Sequence, residues 1–64
     1  MCLSTVYKGS EAIAENKLAE DVTAVDIKDE QICLRIITGE ELVFRGSVRY
    51  VDLISNRIFI AADN

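Results

Sequence analysis

Apolar residues recur at every second position through most of the chain, and that spacing constrains the fold more than any other feature. Val25 and Ile27 alternate with Asp26 and Lys28, and Ile32, Leu34 and Ile36 with Cys33, Arg35 and Ile37. Leu42 and Phe44 follow at the same interval; Val51 and Leu53 stand against Arg49 and Asp52, and Ile58 and Ile60 flank Phe59. Successive side chains of a strand point to opposite faces, so a period of two marks strands with one face buried. β-branched residues dominate these runs, as pleated, half-buried surfaces favour. Turn formers fall between them at Gly9-Ser10, Asp29-Glu30, Gly39-Glu40, Gly46-Ser47 and Ser55-Asn56. The pattern predicts strands at 2–8, 11–15, 20–28, 31–38, 41–45, 48–54 and 57–61. The expected fold is all-β: a small antiparallel barrel or curled sheet of about six to seven short strands, forming one small β domain over residues 1–64.

One stretch departs from the pattern. GSEAIAENKLAEDV, residues 9–22, is rich in Ala and Glu, and Ser10 could cap a helix. Ile13 and Leu18 lie five apart and share no good helical stripe, so a short strand followed by a loop is expected there.

Size raises the question of a partner. Burying roughly 3,600 Å² of apolar surface supplies ~90 kcal/mol at ~25 cal/mol/Å². Ordering 64 residues costs ~95 kcal/mol at ~1.5 kcal/mol each. The two nearly cancel, so a lone chain is marginal. Half the residues are hydrophobic, and several strands are apolar on both faces, with Cys33 and Ile37 opposite Ile32, Leu34 and Ile36, and Phe59 opposite Ile58 and Ile60. A small barrel has one inside, so the second set needs cover. A homodimer is the simplest expectation.

Charge and composition remove whole classes of function. Seven basic residues are scattered among eleven acidic ones for a net charge of −4, with two Phe, two Tyr and no Trp. Nucleic-acid binding calls for a basic stripe and interleaved aromatics, so it is disfavoured. No apolar run approaches a membrane span and no signal peptide is visible, so no membrane association and a cytoplasmic location are expected. The chain has no histidine, which excludes imidazole catalysis and imidazole ligands. Two cysteines in a reducing compartment are expected as free thiols.

Cys2 is the candidate for chemistry. Were the initiator methionine removed, its α-amine and thiolate would close a five-membered chelate to which a deprotonated amide could add a third donor. Nitrogen and thiolate donors of this kind suit square-planar Ni(II) or Cu(II). A two-fold dimer would bring a second set. The plainer alternative is a small apolar residue at the start of a strand. Cys33, mid-strand and opposite the core face, reads as a packed, inert thiol. A four-thiolate zinc site built from two chains would lack paired CxxC spacing. Glu40 and Glu41 are neighbours and point to opposite faces, so they do not form an acid–base pair. Asp26 and Asp52 lie within apolar strands and are candidates for buried roles, or for ion pairs with Arg35 or Arg49. Gly9, Gly39 and Gly46 read as turn glycines without phosphate-cradling spacing. No nucleophile–base constellation is present, and an enzyme is not expected.

The start Met1-Cys2-Leu3, the segment GEELVFRGSVRYVDLISNRIFI with its VDL at 51–53, the closing hairpin and the chain length together resemble the CooT family. These are small accessory proteins of carbon monoxide dehydrogenase maturation, also catalogued as predicted RNA-binding. The resemblance covers essentially the whole chain. It implies a compact β fold, a homodimer and Ni(II) bound through the cysteine after the initiator, here Cys2. It also implies a client metalloenzyme, carbon monoxide dehydrogenase, that receives the nickel. A second group, small β-barrel accessory proteins of hydrogenase maturation, also begins Met-Cys, but runs longer and carries a C-terminal helix. A dimeric β interaction module without metal is the remaining alternative.

Overall fold

The computed structural model describes residues 2–63. Five strands form a closed barrel in the order β1-β2-β3-β4-β5: β1 (Ser4–Lys8), β2 (Lys17–Lys28), β3 (Gln31–Ile36), β4 (Glu41–Asp52) and β5 (Arg57–Ala62). Each strand runs antiparallel to the one before it. After four such reversals the last strand points the same way as the first, so closure must be parallel. Accordingly β5 pairs in parallel with β1, with Val6 beside Ile58 and Tyr7 beside Phe59.

The all-β expectation holds, with fewer and longer strands than the six to seven expected. The segment 11–15 is not a strand: it is open chain leading into one 3₁₀ turn, Ala14–Asn16, and Ile13 is exposed. The expected strands 41–45 and 48–54 are one twelve-residue strand, β4. Gly46 sits inside it rather than at a turn. Its amide donates to the Glu30 carbonyl, 2.8 Å away, and its φ is +148°, a region essentially reserved for glycine. A Cβ here would run into the Ala61 carbonyl. Gly46 is therefore a corner: before it β4 pairs with β3, after it with β5. The twelve-residue β2 does the same, pairing with β1 through Val22 and with β3 from Val22 onward.

The interior is a single apolar cluster of Val6, Ala19, Val22, Ile32, Leu34, Ile58 and Ile60, with Leu42, Phe44 and Val48 of β4 packed against it. Ile32, Leu34, Ile60 and Val6 are fully buried, as the period-two spacing requires. Past Val48 that spacing fails. A bulge between Val48 and Tyr50 shifts the alternation by one residue. Val51 and Leu53, read as part of a buried face, are instead 46% and 81% exposed.

Phe59 lies on the outside of the barrel, as its parity demands, yet it is only 8% exposed. The chain covers it itself. Tyr7 stacks on it at 5.7 Å between ring centroids, and Tyr50 lies tilted at 5.9 Å. The cover that sequence reasoning assigned to a second chain is, for this residue, supplied by β1 and β4.

Candidate metal centre

Cys2 lies two residues ahead of β1, exposed and free of any disulfide. The strand that follows is tied on both sides: Ser4 pairs with Val22 of β2, and the Thr5 amide donates to the Asn56 carbonyl at 3.0 Å. Leu3 is half-buried. Cys2 thus extends from a fixed strand end, outside the sheet hydrogen bonding, with a thiol that makes no part of the core.

Cys33 is held differently. It faces outward from the centre of β3 between Asp26 of β2 and Val43 of β4, half-buried, with the buried Ile32 and Leu34 on either side in sequence. The expectation of a thiol on the face opposite the core is met. Since β2 intervenes between β1 and β3, Cys33 lies on a strand that does not pair with the one that follows Cys2. Among the described residues no three Cys, Asp or Glu side chains gather into a cluster that could hold a metal ion. Within one chain, Cys2 offers one thiolate and the backbone nitrogens beside it. That falls short of the four donors of a square-planar site, and a second copy of the same set would complete it.

The carboxylates singled out in the sequence have other places. No polar or charged side chain is buried among the described residues, so neither Asp26 nor Asp52 has a buried role. Arg35 pairs with Glu41 at 3.0 Å rather than with an aspartate. Asp52 is half-buried and accepts from the backbone amides of Ile54 and Ser55 at 3.0 and 3.1 Å, organising the turn between β4 and β5. The Ser55 amide foremost, then that of Ile54 and the nearby Arg57 cation, hold its carboxyl below the ordinary value, against a partial opposing effect of desolvation. These contacts serve the turn, not a reaction. Gly9 and Gly39 occupy positive-φ turn positions, as expected.

Sequence reasoning missed the assembly of Arg49, Tyr50, Asp52, Arg57 and Phe59 around an open cleft on the outer face. No local motif announces it, because the bulge that turns Arg49 and Tyr50 outward leaves no period of its own.

No helix among the described residues is long and apolar enough to cross a membrane. A family model described as the CO dehydrogenase accessory protein CooT matches residues 1–61. No curated protein sequence matches the chain significantly. The match spans nearly all of the 64 residues, and the chain belongs to the CooT family.

Proposed function

From that membership we propose that the chain is a non-catalytic nickel carrier for carbon monoxide dehydrogenase maturation, with the Cys2 thiolate as the protein ligand. The observation that carries this reading is the exposed, unpaired Cys2 thiol on the segment ahead of β1. In this reading two chains pair about a two-fold axis, and each contributes its Cys2 thiolate and a neighbouring backbone nitrogen to one Ni(II). Thiolate and deprotonated nitrogen donors impose the square-planar geometry that nickel accepts. An exposed site on a short leading segment allows the client's own ligands to replace these donors stepwise. Cys33, in a separate setting on β3, takes no part.

The test is a Ni(II) titration of the reduced protein followed by ultraviolet absorption. A thiolate-to-nickel charge-transfer band should saturate near one metal per two chains. It should vanish in Cys2→Ser and persist in Cys33→Ser. Cys2 contributes nothing to the core, so the Cys2→Ser protein should keep its melting temperature. Undiminished nickel binding by that variant would refute the assignment. The second reading, a metal-free interaction module, draws on the β4–β5 turn, where Leu53 and Ile54 are 81% and 95% exposed. It predicts no band with either protein.

A further inference from the structure

We propose that the cleft on the outer face of β4 and β5 binds a small aromatic anion, a ring carrying a carboxylate or a phosphate. Three observations converge on it, none of which involves Cys2.

The first is the way the cleft is built. It encloses about 310 Å³ and is lined by Gly9, Ser10, Arg49, Tyr50, Asp52, Arg57 and Phe59. That volume lies at the lower end of the range for small-molecule sites, ~300–1,000 Å³. Regular alternation would send Arg49 and Tyr50 to opposite faces. The bulge between Val48 and Tyr50 leaves both exposed on the outside. At the other rim β1 has ended, and a Cβ on Gly9 would meet nothing within 4 Å, so the cleft stays open there.

The second is its aromatic surface. Phe59 is fixed between Tyr7 and Tyr50, while Tyr50 remains 60% exposed. Tyr50, braced against the buried Phe59, offers a ligand's ring an exposed aromatic surface at little ordering cost.

The third is charge. The chain as a whole carries −4, yet this lining holds two arginines and one carboxylate. Asp52 is engaged with the Ile54 and Ser55 amides and lies near Arg57. The Arg49 side chain makes no hydrogen bond or salt bridge among the described residues. A guanidinium without a partner, next to an aromatic surface, recognises an anionic group carried on a ring. A polyanion such as nucleic acid would meet the chain's net negative charge, so the cleft selects a single anionic group.

The experiment is a titration of the ¹⁵N-labelled full chain with benzoate and with phenyl phosphate, followed by amide chemical shifts. Inorganic phosphate and benzyl alcohol serve as probes carrying only one half of the recognised chemistry. At least one ring-bearing anion should give saturable shifts centred on Ser10, Tyr50 and Phe59, and the stronger of the two tells carboxylate from phosphate. Each half-probe should bind about tenfold more weakly, and Arg49→Ala should weaken binding about fivefold or more. Arg49 has no partner to lose, so the variant should fold normally. No saturation by either ring anion up to about 20 mM, far weaker than a useful site, would overturn the proposal. So would shifts centred elsewhere, or affinity unchanged in Arg49→Ala. Nickel binding at Cys2 should be the same in that variant.

Discussion

The two long strands meet the same problem and solve it differently. Both β2 and β4 change partner half-way, and each must bend there to close so small a barrel. In β4 the bend falls on Gly46, at a φ of +148°, with the Ala61 carbonyl where a side chain would begin. In β2 it falls on Asp21 and Val22. Asp21 is left-handed at a φ of 58°, exposed, and followed by a bulge between Val22 and Ala24. One corner is defined by close backbone approach and excludes every side chain. The other combines a left-handed backbone angle with a hydrogen bond from the Ile37 amide to the Asp21 carbonyl at 3.0 Å, and leaves its side chain in water. Corners that look alike in topology should therefore respond oppositely to substitution.

The largest effect should come from Gly46→Ala. The new methyl would overlap a backbone carbonyl, which cannot move aside as the end of a flexible side chain could, and φ would be strained as well. A loss of about 3 kcal/mol is expected, or ~15 °C in melting temperature for a domain of this size. Circular dichroism melts and urea midpoints would measure it. A fall of less than about 5 °C would mean that the two corners are equally tolerant, and the contrast would collapse.

Asp21 should behave the other way. Replacing it with glycine relieves a left-handed strain of ~1 kcal/mol and costs a similar amount in unfolded-state entropy, so stability should stay within ~0.5 kcal/mol. Asp21→Val, branched at Cβ, should lose ~1–2 kcal/mol. A urea midpoint for Asp21→Gly as depressed as that of Gly46→Ala would place the second corner, too, under packing control.

The same contrast explains how much could be read from the sequence. The buried face of β3 was legible because Ile32, Leu34 and Ile36 alternate without interruption, and the outward placement of Cys33 followed from it. Gly46 was visible as a special residue but was assigned to a turn, since glycine in a strand and glycine in a loop look identical without knowledge of partners. Asp21 left no trace, because a left-handed aspartate has no side-chain pattern around it. The bulge at Arg49 hid the cleft and inverted the reading of Val51 and Leu53. For the candidate centre, Cys2 was singled out in the sequence by its position, but the first strand, expected from residue 2, begins only at Ser4, which leaves the exposed Cys2 ahead of it. No set of further donors was legible around it, and among the described residues no cluster of three Cys, Asp or Glu side chains gathers that could hold a metal ion. Phe59 was correctly placed on the outer face, but its cover by Tyr7 and Tyr50 depends on pairing across β1, β5 and β4, which local spacing does not encode.

The smallest effect concerns a third reversal, the turn from β4 into β5. Asn56 is left-handed there, at a φ of 56°, but a side chain rather than a close approach organises the turn: Asp52 accepts from Ile54 and Ser55. Unlike either corner, this device depends on charge. The Ser55 amide above all holds the Asp52 carboxyl below its ordinary 3.8, so the folded state binds its proton less readily than the unfolded state. Its contribution to stability is complete above the unfolded value of about 3.9 and is lost as pH falls through the lowered folded value. On acidification from about pH 5 to about pH 2 the amide shifts of Ile54 and Ser55 should move together, with a midpoint below 3.8. In Asp52→Asn, which keeps an acceptor oxygen but does not titrate, that coupled movement should disappear. The Gly46 amide, bound to a backbone carbonyl, should show no such titration in either protein. A midpoint at or above the ordinary carboxylate value would mean that the Ile54 and Ser55 amides do not favour the charged form. The turn would then be held, like the corner at Gly46, by backbone geometry alone.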